Sequence, residues 1–129
     1  MGADRRRILG ASGEDAVAAW YAAAGYEVVA RNWRCADGEI DLVVRAPDGT
    51  LVVCEVKTRS SRAFGSPFEA VTPAKQRRLR RLAAQWLAAR RAGTGSDLLQ
   101  PMVDVRFDVA AVRAGPRGAL SVEVLEAAF

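Results

Sequence analysis

The chain has 129 residues, half of them hydrophobic, with 19 basic and 15 acidic residues, two cysteines and no histidine. That is the length of one domain, with enough apolar material for a core. Without histidine there can be no Ser-His-Asp or Cys-His nucleophile site, no H-E-x-x-H zinc site and no histidine-dependent zinc deaminase. Acid–base or metal chemistry must come from Asp, Glu, Lys, Tyr or water. Cys35 and Cys54 lack CxxC spacing and are too few for a disulfide scaffold, so they read as reduced thiols of a cytoplasmic protein. No apolar run has the length of a membrane span. Residues 1–9 carry three arginines and no apolar h-region, so they read as a mobile basic arm rather than a signal peptide.

The net charge of +4 is unevenly spread: Lys75 to Arg91 holds seven basic residues and no acidic one, which leaves the rest of the chain net negative. The cations are 17 arginines against two lysines.

The first predicted element is a helix over about 12–24. Ser12 stands as N-cap, Asp15 has capping-box spacing, and Gly25 stands as the residue that ends the helix. Val17, Trp20, Tyr21 and Ala24 form its apolar stripe. Three strands are predicted next, over 26–33, 39–44 and 51–58. A loop over 59–71 contains Gly65 and Pro67. Thr72 caps, and Pro73 opens, a second helix to about Ala92, stopped by Gly93, with Leu79, Leu82, Trp86 and Ala89 as its buried stripe. Two more strands are predicted over 102–112 and 119–125, around Gly115-Pro116-Arg117-Gly118. The order is helix, three strands, helix, two strands: a single α/β domain, a mixed sheet covered by helices.

The turn Pro47-Asp48-Gly49 sets a register. Pro suits i+1 of a type I turn, and Gly supplies the left-handed residue of a G1 bulge. Ala46 then faces Thr50, Asp41 faces Glu55, and Glu39 faces Lys57, all four charged residues on one side of the sheet. Carboxylates ~5 Å apart repel by roughly 3 kcal/mol at an effective dielectric of ~20. One reading is a solvated outer face with a Glu39–Lys57 salt bridge. The other is a divalent cation between Asp41 and Glu55, with Lys57 beside a phosphoryl oxygen. Glu14 points with the buried stripe toward the sheet, as a helix-dipole partner or as a third acid of the same cluster.

Gly38-Glu39-Ile40-Asp41-Leu42 followed by Glu55-Val56-Lys57-Thr58-Arg59 resembles the D…ExK core of the PD-(D/E)xK nuclease superfamily. More narrowly, the chain is similar to the YraN family of small bacterial proteins, close to archaeal Holliday-junction resolvases. The matching pieces run from Gly10 to Ala16, then Gly25-Tyr26, Arg31-Asn32, Gly38 to Leu42, Glu55 to Arg59, Gly65, Lys75, and Arg106-Phe107-Asp108. Ile40 stands where the superfamily's hallmark proline precedes the Asp. The resemblance implies a restriction-endonuclease-like fold and metal-dependent hydrolysis of phosphodiesters in DNA, branched DNA included, or in RNA. It implies Asp41, Glu55 and the Val56 carbonyl as ligands for Mg²⁺ or Mn²⁺ and Lys57 as the catalytic lysine. Glu14 matches a helix-borne acid that is also a possible metal ligand, and Lys75 or Gln76 a polar residue of the following helix. Its alternative is a nucleic-acid-binding or protein-interaction module that keeps the fold without the chemistry.

On the second helix, Lys75, Gln76, Arg77, Arg78 and Arg81 are expected to hold a nucleic-acid backbone, DNA favoured over RNA. Arg59 is expected to join them. Arg62 and Phe64 either approach substrate or belong to a surface loop. Trp20 and Trp86 are expected in the core, and Arg106 and Asp108 as a structural ion pair. A homodimer is expected by analogy with resolvases, and no membrane association.

Overall fold

The computed structural model describes residues 2–60, 68, 71–94 and 104–129, and in the first helix the side chains from residue 12 onward. Helix α1 spans Gly2–Ala23, followed by strands β1 (Glu27–Cys35), β2 (Gly38–Arg45) and β3 (Leu51–Ser60). Helix α2 spans Pro73–Thr94, and strands β4 (Val105–Ala114) and β5 (Leu120–Leu125) complete the chain. The five strands form one sheet in chain order. All neighbours are antiparallel except β3 and β4, which run parallel and are joined through α2. This is the restriction-endonuclease-like α/β order expected from the sequence.

The β2–β3 hairpin has the register that Pro47 predicts. Leu42 pairs with Cys54 and Arg45 with Leu51. The Ala46 amide donates to the Thr50 carbonyl at 2.8 Å, and the Asp48 carboxylate accepts from the Thr50 amide at 2.9 Å. Gly49 takes the left-handed φ of 93° that closes the three-residue turn.

Two apolar cores lie on the two sides of the sheet. Val43, Val53, Leu79, Leu82 and Trp86 belong to the α2 side. Val17, Tyr21, Leu42, Val44, Val52 and Cys54 belong to the α1 side. Strict alternation breaks at Ile40, which joins Val43 on the α2 side. Nearby, Asn32 of β1 takes a left-handed φ of 50°. Helix α1 ends with a paired motif. The Tyr26 amide donates to the Tyr21 carbonyl, the Gly25 amide donates to the Ala22 carbonyl, and the two tyrosine rings meet at 5.0 Å. Thr72 caps α2 through its hydroxyl, which accepts from the Lys75 amide at 3.2 Å.

A buried polar hub ties α1 to the far strands. The fully buried Asp108 accepts from the Tyr21 hydroxyl at 2.6 Å and the Ala127 amide at 3.0 Å. Arg106 donates both prongs of its guanidinium to the same carboxylate, and one of those nitrogens also reaches the Tyr26 hydroxyl at 3.0 Å. Arg106 and Asp108 are thus the structural ion pair expected. Each oxygen of this carboxylate accepts two hydrogen bonds, from Arg106 on the same strand and from Tyr21 and Ala127 elsewhere in the fold, which offsets the cost of burying it.

Several expectations are corrected. Ser12 lies inside α1 rather than at its cap, because the backbone of residues 2–11 is already helical. Asp15 makes no capping box and is paired with Arg31 of β1. Ala24 lies just beyond α1 and is exposed, as is Ala89 on α2. α2 continues through Gly93 to Thr94. The loop residues Arg62, Phe64, Gly65 and Pro67 lie outside the described residues, as do the first residues of the strand expected from Met102.

Helix α1 lies close against β3 at Gly13, where a Cβ would clash with the Thr58 hydroxyl. The missing side chain lets the helix lie against the strand that carries Glu55 and Lys57. Gly13→Ala is expected to lose about 1–3 kcal/mol of stability in urea denaturation, despite alanine's better helix propensity. Adding Thr58→Ala should recover most of that loss. An additive double mutant would show that the close contact is not the cause.

Candidate active site

The hairpin register brings Asp41 of β2 beside Glu55 of β3, and α2 roofs them. Together with Glu39, Lys75, Arg78 and Leu79, the two carboxylates line a cavity of about 180 Å³. Asp41 is only 9% exposed. Its carboxylate accepts from the Val56 amide at 2.9 Å. That bond lies one step beyond Leu42–Cys54, the last regular pair of the β2–β3 ladder. The side chain thus supplies an acceptor to a partly buried amide and is anchored by it.

Burial is the main force raising the Asp41 pKa to about 7, and the Glu55 charge adds to it; the Val56 hydrogen bond pulls the other way. Glu14 and Glu39 contribute smaller upward pushes. Glu14 therefore lies close enough to act on Asp41 from α1, although it does not line the cavity.

Lys57 projects to the same side and binds Glu55 at 2.9 Å; both side chains are about 85% buried, with 15% and 14% of their surface exposed. The solvated outer face considered for the sequence is thus excluded, since three of its four charged groups are largely covered. Its Glu39–Lys57 salt bridge is also corrected. Glu39 is held by Arg34 across the β1–β2 turn, at 2.9 Å.

The two lysines of the chain meet here. Burial lowers the Lys57 pKa, but hydrogen bonding with Lys75 and Glu55 outweighs it, so the net shift is upward. Lys75 shifts downward, first through its hydrogen bond with Lys57, then through burial and the Lys57 charge. Sequence reasoning put Lys57 in the site and Lys75 in the nucleic-acid-binding set but did not pair them. The signal was present in the composition: a chain that uses arginine 17 times keeps lysine at two positions, and these are the two. A compact ammonium fits where a guanidinium fork does not, and its pKa moves with its surroundings.

The remaining expected contacts divide. Arg78 lines the cavity, and Arg77 and Arg81 are exposed on α2. Gln76 instead donates to the Val71 carbonyl at 3.2 Å, fixing the start of the helix. Arg59 is exposed and donates to the carbonyl of its neighbour Thr58. Arg80 covers the Phe107 and Phe129 rings and Arg90 the Trp86 ring, so part of the basic run serves packing. Trp86 is core as expected, and Trp20 packs at the border of the α1-side core.

Comparison with known proteins identifies the family. The family model described as "Uncharacterised protein family UPF0102" matches residues 13–112, which contain every candidate site residue. The chain belongs to the UPF0102 (YraN) family. A UPF0102 protein of Beutenbergia cavernae is 55% identical over 118 residues, covering 91% of this chain and 92% of that one. One from Acidothermus cellulolyticus is 45% identical over 131 residues, covering 98% and 97%. One from Symbiobacterium thermophilum is 47% identical over 123 residues, covering 95% and 97%. Among the described residues, no helix is long and apolar enough to cross a membrane.

The donor set suits a hard divalent cation. Among the described residues no three acidic or thiol side chains converge on one point. A cation would therefore take Asp41 and Glu55 and complete its shell with backbone oxygen and water, as Mg²⁺ and Mn²⁺ do.

Asp41 also sets a pH dependence in the metal-free protein. Unfolded, it releases its proton near 3.8; folded, near 7. Between these values the folded state holds the extra proton, so its contribution to stability falls as pH rises and levels off above 7. Asp41→Asn should remove that slope in urea titrations with chelator across this range. An unchanged slope would show that Asp41 does not titrate there.

Proposed function

We propose that this protein is a metal-dependent nuclease that hydrolyses phosphodiester bonds. The observation that carries this reading is the buried Asp41–Glu55 pair with Lys57, Lys75 and Arg78 gathered beside it. Two acids forced together in a covered cleft cost stability unless a cation neutralises them. Cations lining the cavity favour an anionic substrate.

Asp41, Glu55 and the Val56 carbonyl would hold Mg²⁺ or Mn²⁺, which when bound polarises a phosphoryl oxygen and makes water a better nucleophile. The chain's own groups do the rest. Asp41 must be ionised to bind a cation, and its Val56 hydrogen bond keeps it aimed at the cleft. Lys57 keeps its proton tightly and supplies fixed positive charge to the phosphoryl oxygens as the transition state forms. Lys75 lines the same cavity and would add positive charge beside the phosphoryl group. The attacking water loses its proton to solvent as its oxygen bonds to phosphorus, and the sugar oxygen takes up a proton from solvent as its bond to phosphorus breaks. Glu14 completes the acidic surround from α1, and Arg78 holds phosphate at the mouth.

The test is incubation of purified protein with labelled single-stranded, duplex and branched DNA and with RNA, with Mg²⁺ or Mn²⁺. Asp41→Ala and Lys57→Ala should each lower the rate by about 10²-fold or more. Lys57→Arg should not restore it, because the site is built for an ammonium. Activity that survives Asp41→Ala would belong to a contaminant. Binding of nucleic acid without metal-dependent cleavage would favour the non-catalytic module.

A further inference from the structure

The catalytic cleft is one end of a longer surface along α2. A second hollow of about 520 Å³ opens from its mouth and shares Glu39 and Arg78 with it. This hollow lies at the β1–β2 turn and includes Arg34. Further along the same helix is a third, about 270 Å³, lined by Val29, Ala30, Trp33, Trp86, Ala89 and Arg90.

The three hollows follow one face of α2. Lys75, Arg78 and Leu82 border the first, and Trp86, Ala89 and Arg90 the third, at steps of three and four residues. The Gln85 side chain bridges the interval by hydrogen bonds with Cys35 and Asp37 of β1 and its turn. The third hollow exists because Ala30 and Ala89 have short side chains there. Trp33 is partly exposed on an edge strand, while Trp86 is buried beneath Arg90. The hollow thus combines a partly exposed tryptophan with a cation, and Arg34, next to Trp33 in the chain, has a side chain that is 78% exposed.

Grooves that bind single-stranded nucleic acid combine these features: a basic path for the backbone and an aromatic ring on which a base stacks. Duplex bases are already stacked on one another and cannot enter such a hollow. From Arg78 to Arg90 the helix axis spans about 18 Å, a length that a site of ~4 nucleotides covers. The acidic groups beside the route already have partners, Asp37 in Gln85 and Glu39 in Arg34.

We infer that the surface from the cleft to Trp33 is a track for an unpaired strand, with backbone phosphate at Arg34 and Arg78 and a base stacked on Trp33. This rests on the nuclease reading and names its substrate class: nucleic acid with a single-stranded segment next to the bond cut.

Binding of labelled single-stranded and blunt duplex oligonucleotides to the uncut Asp41→Ala complex, in chelator, tests it. Trp33→Leu keeps apolar packing and removes the ring face. It should weaken single-strand binding about 5- to 100-fold and leave duplex binding unchanged. Trp33→Phe should retain most of the affinity. Arg34→Ala should lower the slope of log K against log salt by about one on single strands. Equal losses on both substrates, or none in Trp33→Leu, would overturn the track while leaving the nuclease reading standing. Failure of the Trp33-intact protein to bind any oligonucleotide at low salt would overturn both.

Discussion

The bond between the Asp41 carboxylate and the Val56 amide holds the rest of the site in place. It forms just past the last regular pair of the β2–β3 ladder, where a partly buried amide needs an acceptor. Asp41 meets that need and is thereby kept in a low-dielectric position beside Glu55. Its raised proton affinity follows from this placement. So does the value of a cation there, since a divalent charge removes both the repulsion and the desolvation cost at once. The site is a place where the fold accepts an electrostatic penalty that a ligand can relieve.

Around that point the cations are specialised. Lys57 and Lys75 work as a pair inside the cleft, one with its proton held more firmly and the other less. Arg78 stands at the mouth. Arg80 and Arg90 lie over aromatic rings, and Arg106 serves the buried Asp108 hub. A basic helix that looks uniform in the sequence therefore divides into groups that face the cleft and groups that hold the core. The Asp108 hub matters to function indirectly. It fixes Tyr21, and with it the helix that carries Gly13 and Glu14 against β3.

Much of the site was legible because it depends on local rules. Pro47 and Gly49 dictate a turn, the turn dictates a register, and the register puts Asp41 beside Glu55. Gly25 and Thr72 mark the end of one helix and the start of the other by equally local chemistry. What stayed hidden has several causes. Residues 2–11 of α1 precede the apolar stripe from which the helix is read. The partner of Glu39 is Arg34, because a tight turn brings them together and Lys57 is taken by Glu55. The meeting of Lys57 with Lys75 needs the whole crossover from β3 to α2. Only the scarcity of lysine hinted at it.

Calorimetric titration of Mn²⁺ into the metal-free protein, in buffers of different ionisation enthalpy, tests the central claim most directly. Binding should release a proton below pH 7, where Asp41 still holds one, and release less above it. Asp41→Asn should abolish the binding. No saturable binding, or binding undiminished in Asp41→Asn, would contradict the assignment of the buried carboxylate pair as a metal site.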